Sequence, residues 1–114
     1  MQIDMTGIKS VLIVKLSSIG DVIHALPVAA ALKRTYPDIK LSWLVEAKCA
    51  DVVNGNPYVD EVIPFPRHNW KGKRLKWRTW IEAARFAKII AKRFDLTLDL
   101  QGLLKSAILA RISS

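Results

Sequence analysis

Hydrophobic and polar positions divide the chain into two alternating kinds of segment. Short runs of β-branched and other apolar residues are typical of buried strands, and apolar residues every three or four positions are typical of amphipathic helices. The runs predict strands at residues 10–15, 40–45, 61–63 and 96–100. The helical spacing predicts helices at residues 21–36, 47–53, 77–94 and 103–112.

Prolines complicate two of these elements. Pro27 cannot donate a hydrogen bond to the carbonyl of Ile23, so the first helix either kinks there or begins near Leu26. Pro64 and Pro66 are expected to end the third strand, because proline cannot donate to a strand ladder.

Strands separated by helices pair in parallel through crossover connections, which predicts an α/β fold with a Rossmann-like, doubly wound parallel sheet. In the usual strand order 3-2-1-4, the first and fourth strands are neighbours and ligands bind at their carboxyl ends. Residues 17–21 follow the first strand and residues 99–106 follow the fourth. The topology therefore predicts one composite pocket built from these two segments.

The first segment offers a carboxylate beside small polar residues. Ser17 and Ser18 supply hydroxyl groups, and a tight turn at Gly20 would let a ligand approach the backbone amides at the helix start. The carboxylate of Asp21 is favoured at a helix N-terminus and can accept a proton from a substrate hydroxyl. His24 lies one turn further, where it could orient that carboxylate.

The second segment offers hydrogen-bond donors to phosphate, carboxylate or sugar oxygens. They are Gln101, Lys105 and Ser106, with Gly102 between them. Simpler interpretations stay open for several of these residues. Asp21 can merely complement the helix dipole, His24 can be structural, Asp99 can cap a turn, and Lys105 can be a solvated helix residue.

The net charge of +8 is concentrated in one segment. Between residues 67 and 93 lie ten lysines and arginines and a single acid, Glu82. Five of the cations fall at the loop before the third helix: Arg67, Lys71, Lys73, Arg74 and Lys76. A local cationic surface of this kind favours an anionic partner.

Other features of the sequence limit the class of protein and its compartment. No apolar run reaches the roughly 18 residues that span a bilayer, and residues 1–9, with Asp4 and no apolar core or small-residue cleavage site, do not favour export. One cysteine, Cys49, fits a reducing cytoplasm and is best interpreted as a small buried side chain. No cluster of residues has metal-ligand spacing.

Three segments resemble one known family. Residues 15–27, KLSSIGDVIHALP, are similar to the opening motif of the bacterial ADP-heptose:lipopolysaccharide heptosyltransferases, glycosyltransferase family 9. Residues 99–107, DLQGLLKSA, resemble its second amino-terminal motif, and residues 59–64, VDEVIP, resemble its third-strand region. The resemblance covers about residues 10–113 and is greater to the members that attach the first heptose than to those that attach the second.

The resemblance implies a GT-B glycosyltransferase, with two Rossmann-like domains facing a cleft. Residues 1–114 would be a truncated N-terminal acceptor-binding domain, and its intramolecular partner, the C-terminal nucleotide-sugar domain, would be absent, so this fragment alone is expected to be inactive. The implied reaction is inverting transfer of L-glycero-D-manno-heptose from ADP-heptose to a Kdo residue of Kdo-lipid A. Asp21 would be the general base, and Ser17, Ser18 and Gly20 would line the reaction centre.

The resemblance also implies a setting for the reaction. ADP-heptose is the donor substrate, and no metal or cofactor is expected. The acceptor lies on the cytoplasmic face of the inner membrane, so the protein is expected to be cytoplasmic and peripheral on that anionic surface, with the basic loop contacting acceptor or lipid.

Two other classes of function remain as alternatives. A nucleic-acid-binding module would explain the cationic segment, but a carboxylate in the pocket would repel phosphate. A nucleotide-dependent oxidoreductase domain would suit the fold, but the first turn lacks the G-x-G-x-x-G spacing that holds a pyrophosphate.

Overall fold

The computed structural model describes residues 7–65, 76–101 and 108–110 of the 114-residue chain. The strands in these ranges are β1 (Ser10–Val14), β2 (Lys40–Glu46), β3 (Glu61–Phe65), β4 (Leu96–Asp99) and β5 (Ile108–Ala110). The helices are α1 (Ile19–Thr35), α2 (Ala50–Val53), which follows a 3₁₀ turn at Ala47–Cys49, and α3 (Lys76–Ala91). Seven of the eight predicted elements are present, with ends within three residues of those expected.

The sheet has the order β3-β2-β1-β4-β5. β1 lies at its centre and pairs in parallel with β2 and with β4, while β3 pairs in parallel with the other side of β2. This arrangement confirms the predicted α/β fold with a doubly wound parallel sheet. The carboxyl ends of β1 and β4 therefore form the switch point at which such sheets bind ligands.

Helices cover both faces of the sheet. Ile13 of β1 faces one side, where Val22 of α1 belongs to the same core cluster. Leu12 faces the other side, where Ala87 of α3 packs. All of residues 11–14 are fully buried, which explains why the first strand is continuously apolar rather than alternating.

Cys49 is buried in the α1-side core, which confirms the interpretation of it as a small buried side chain. Burial raises the pKa of its thiol, and the Glu46 carboxylate raises it further against the opposing charge of Lys48. The thiol is therefore protonated at neutral pH and packs as an apolar group.

The helix predicted at residues 103–112 is wrong at residues 108–110, which form β5. β5 pairs antiparallel with the outer edge of β4, with Leu98 opposite Ile108. A short apolar run fits a strand as well as a helix. Here the open edge of β4 decides between them, because its backbone groups need partners.

The structure also bears on the two expectations about prolines. α1 begins at Ile19 and continues through Pro27, so of the two alternatives for this helix a start near Leu26 is wrong. β3 continues through Pro64, which lies opposite Val45 of β2. β3 pairs with β2 alone within the described sheet, and an edge strand tolerates a proline where the missing N–H would face away from the ladder.

Asp95 joins the amino ends of β1 and β4. Its Oδ2 accepts hydrogen bonds from the N–H groups of Lys9 at 2.8 Å and Ser10 at 3.1 Å. The backbone hydrogen bond from Lys9 does most to lower the pKa of Asp95, and the bonds from Ser10 add to it against the opposing effect of burial. The ionised carboxylate therefore stabilises the folded sheet.

Asp95→Asn should lower the free energy of unfolding at neutral pH by about 1 kcal/mol, because a neutral amide is a weaker acceptor than a carboxylate. The folded-state pKa lies below the unfolded value of about 3.9, so this stabilisation is present above that pH and is lost as pH falls through the folded pKa. Denaturant unfolding at neutral pH and at about pH 3 should show the difference from wild type shrinking in acid. Asp38→Asn, at an exposed position, is the control; an Asp95→Asn difference that is equal at both pH values would contradict this account.

Candidate active site

The switch point brings the ends of two strands together. Val14 of β1 lies opposite Asp99 of β4, and the N–H of Leu100 continues the pairing by donating to the Val14 carbonyl at 2.9 Å. The chain leaves β1 through residues 15–18 and leaves β4 through Leu100 and Gln101. Both exits lie on the same rim of the sheet, as the topology predicted.

Gln101 connects the two exits directly. Its Oε1 accepts hydrogen bonds from the N–H groups of Leu16 at 3.0 Å and Ser17 at 3.3 Å. Its own N–H donates to Oδ1 of the buried Asp99 at 2.9 Å, so the interpretation of Asp99 as a turn cap is confirmed. The side-chain carbonyl oxygen of Gln101 holds the loop after β1, a role that the sequence did not indicate. Donation from its NH₂ group to a ligand stays a prediction.

β2 holds the same loop from its other side. The N–H of Lys15 donates to the Leu44 carbonyl at 3.2 Å, and the N–H of Glu46 donates to the Leu16 carbonyl at 3.0 Å. The Trp43 indole Nε1 donates to the Lys15 carbonyl at 3.1 Å. Hydrogen bonds from β2 and from Gln101 thus fix the backbone of residues 15–17 before α1 begins.

Sequence reasoning missed Glu46 as a residue of this rim. It is only 5% exposed, and its carboxylate pairs with Lys48 at 3.3 Å. Its position at the carboxyl end of a strand next to β1 was the signal that could have identified it.

Asp21 lies in the first turn of α1 and is exposed to solvent. Ser18, the N-cap residue, donates from Oγ to Oδ2 of Asp21 at 3.1 Å. The Ser18 carbonyl accepts the N–H of Val22 at 2.8 Å and so starts the helix. One carboxylate oxygen is therefore held by a hydroxyl that the helix itself positions.

His24 is exposed one turn further along α1. Within the described residues, the hydrogen bond that orients Asp21 comes from Ser18 and not from His24. A role for His24 beside Asp21 stays a prediction.

Gly20 does not form the tight turn that was expected. It is the second residue of α1, and its φ is not positive. A Cβ built on it would meet no atom within 4 Å. The fold therefore does not require glycine here, and the space above residue 20 is open to a ligand.

Exposed apolar side chains occur on the same part of α1 and at the neighbouring strand exit. Ile19 and Ile23 of α1 are 48% and 46% exposed, and Leu100 at the neighbouring exit is 38% exposed. A carboxylate, a hydroxyl and an open backbone segment thus stand among apolar side chains. Such a mixture suits an organic ligand that offers a hydroxyl group.

Several predicted site residues lie outside the described residues. They are Gly102, Lys105 and Ser106 of the second segment, and Arg67, Lys71, Lys73 and Arg74 of the basic loop. Lys76 of that loop is the first residue of α3.

Within the part of the chain that the structure describes, no group of three or more His, Cys, Asp or Glu side chains is arranged to hold a metal ion. No helix there is long and apolar enough to cross a membrane.

The fold and the site define a Rossmann-like α/β unit with a carboxylate-bearing loop at its switch point. No family model matches the chain. Over 104 residues it is 43% identical to lipopolysaccharide heptosyltransferase 1 of Pseudomonas aeruginosa, and this match covers 89% of the chain and 29% of that protein.

Solved structures agree with the sequence comparison. Escherichia coli heptosyltransferase WaaC with ADP-2-deoxy-2-fluoro heptose matches with a TM-score of 0.59 and 36% identity over 85% of the chain and 31% of WaaC. A glycosyl transferase family 9 structure from Veillonella parvula matches with a TM-score of 0.61 and 28% identity over 82% of the chain and 26% of that structure. The resemblance to family 9 heptosyltransferases is therefore confirmed over most of this chain, which spans about three-tenths of the relatives' length.

Gln101→Leu should lower the free energy of unfolding by about 1–2 kcal/mol, because the N–H groups of Leu16 and Ser17 lose their acceptor. Gln101→Glu keeps an acceptor oxygen at the same reach and should remain close to wild type at neutral pH. Urea unfolding of the three proteins measures the difference. Equal losses in both variants would mean that the side chain stabilises the rim by packing and not by accepting these hydrogen bonds.

Proposed function

We propose that this chain is the acceptor-binding part of an inverting heptosyltransferase. The reaction moves L-glycero-D-manno-heptose from ADP-heptose to a Kdo hydroxyl of Kdo-lipid A. The observation that carries the proposal is the exposed Asp21 carboxylate, held by Ser18 at the switch point of the sheet. The likeness to proteins named heptosyltransferase 1 supports the choice of sugar.

In the proposed mechanism Asp21 is the general base. Its carboxylate takes the proton of the acceptor hydroxyl while the hydroxyl oxygen bonds to the anomeric carbon of the heptose. The bond from that carbon to the diphosphate breaks, and ADP leaves with the electron pair. Attack from the face opposite the leaving group inverts the anomeric configuration.

Ser18 gives Asp21 a fixed orientation in this mechanism. Its hydroxyl donates to Oδ2 at 3.1 Å, which leaves Oδ1 as the oxygen that meets the acceptor hydroxyl. The hydrogen bonds of Gln101 to residues 16 and 17 hold the backbone that carries Ser18. Ser17 and the open space over Gly20 border the proposed reaction centre.

The donor would be bound outside this chain. We propose that residues 1–114 are the N-terminal acceptor domain of a GT-B enzyme and that a C-terminal domain binds the nucleotide sugar. The chain's span of about three-tenths of its relatives supports this division. Hydrogen-bond donors would stabilise the departing diphosphate, without a metal or a cofactor. The 114 residues alone are then expected to bind acceptor weakly and to transfer nothing.

The acceptor is proposed to be reached at a membrane surface. Kdo carboxylates and lipid A phosphates are anionic, which suits the basic loop at residues 67–76. The protein would then work at the cytoplasmic face of the inner membrane as a peripheral protein. The central experiment is a transfer assay on the full-length protein with Kdo-lipid A against an acceptor that already carries heptose; transfer to the second acceptor only would overturn the proposed acceptor.

Asp21→Asn and Asp21→Ala in the full-length protein should lower the rate of transfer by about 10²–10⁴-fold, because the acceptor proton loses its base. Affinity for ADP-heptose should stay unchanged, since the donor is held elsewhere. Transfer rates and calorimetric titration with ADP-heptose measure the two effects. Asp38→Asn, an exposed carboxylate away from the rim, is the matched control; near-normal transfer by either Asp21 variant would remove Asp21 from the mechanism.

Gly20→Ala should have opposite effects on stability and on acceptor binding. Alanine should raise the free energy of unfolding by about 0.5–1 kcal/mol, because glycine is the poorer helix former and the added methyl group meets no protein atom. If acceptor occupies the open space, the same methyl group should raise the KM for acceptor. Unfolding and steady-state kinetics on one preparation test both statements, and a stabilised protein with wild-type KM would show that acceptor does not use this space.

A further inference from the structure

The outward side of α3 carries exposed isoleucines. Ile81 is 44% exposed and Ile89 is 64% exposed. The two residues are eight positions apart, with Arg85 midway, so they form one row along the helix. The opposite side of α3 is already used, because Ala87 and Ile90 are buried against the sheet. The isoleucines therefore take no part in the core.

Cations surround these isoleucines. We call the outward side of α3 and its following turn the α3 outer face. Its exposed residues are Ile81, Glu82, Arg85, Lys88, Ile89, Lys92 and Arg93. Four of them are cations and one is a carboxylate, so the α3 outer face is positive as well as apolar.

We propose that the α3 outer face docks on an anionic lipid bilayer, with Ile81 and Ile89 entering the interfacial region and the cations contacting lipid phosphates. This inference rests on the proposed function in one respect, which is that the acceptor is attached to a lipid. Charge complementarity selects an anionic partner. The isoleucines favour lipid over nucleic acid, because an aliphatic side chain gains from entering the acyl boundary and gains nothing at a phosphodiester backbone.

This docking places the candidate site beside the membrane. α3 follows β3 and leads to the start of β4, so it runs back along the strands for about 24 Å. A bilayer against the α3 outer face would then lie along the strands. The rim that carries Asp21 would open sideways over the lipid surface, where an anchored acceptor can reach it.

The test uses the full-length protein and vesicles of phosphatidylcholine with or without phosphatidylglycerol. Arg85→Gln with Lys88→Gln should weaken binding to the anionic vesicles by about 25-fold at low salt, at about fivefold per cation. Ile81→Ser with Ile89→Ser should weaken it by about tenfold, with the loss persisting at high salt. The matched control is Tyr36→Ser with Lys40→Gln, an exposed apolar side chain and an exposed cation where the chain passes from α1 to β2, away from both the rim and α3.

The proposal would be overturned if both double variants of α3 bound the anionic vesicles with wild-type affinity, or if the control lost as much affinity as they do. Salt-sensitive binding to RNA without binding to vesicles would overturn it in favour of nucleic acid. A soluble Kdo acceptor without acyl chains separates this inference from the proposed function. Both double variants of α3 should transfer heptose to this soluble acceptor at the wild-type rate. If the wild-type protein binds vesicles but transfers no heptose to the soluble acceptor, the result counts against the proposed function alone.

Discussion

The rim of this sheet depends on the hydrogen bonds that Gln101 accepts from Leu16 and Ser17. β1 ends at Val14, yet the chain runs on for four residues before α1 starts, and the N–H groups of those residues need acceptors. One side-chain oxygen from the exit of β4 meets two of them. The same bonds tie together two segments that are more than 80 residues apart in sequence. The contact that joins the two strand exits therefore also helps to hold the loop that leads to the candidate base.

Much of this arrangement follows from the sequence. The apolar run at residues 11–14 predicts a strand buried on both faces, and alternation of strand with helix predicts the order that brings Gln101 beside Ser17. Side-chain detail does not follow in the same way. The side chain of Gln101 carries both an acceptor oxygen and an NH₂ donor, and the sequence does not indicate that the oxygen meets the N–H groups of Leu16 and Ser17. Ser18 is a good N-cap residue by type, yet its hydroxyl bonds to Asp21 instead of to a backbone N–H.

The elements that differ from prediction share a physical cause. β5 is a strand because β4 has an open edge, and β3 accepts Pro64 because it pairs on one side within the described sheet. Both outcomes depend on position in the sheet, which local residue patterns do not contain. Pro27 lies inside a helix whose apolar face is buried against the sheet, so packing outweighs the lost hydrogen bond.

Several residues that the core does not require lie at the switch point. Gly20 occupies a helical position that alanine would fill better, Asp21 exposes a charge, and Ile19 and Ile23 expose apolar surface. The glycine and the exposed isoleucines forgo stability, and the Asp21 carboxylate, although the helix dipole favours it, stays open to solvent at a place where parallel sheets bind ligands. The backbone beneath them is, by contrast, held by hydrogen bonds from β2 and from Gln101. A rigid support under residues that do not serve the fold is the arrangement that a binding or catalytic site requires.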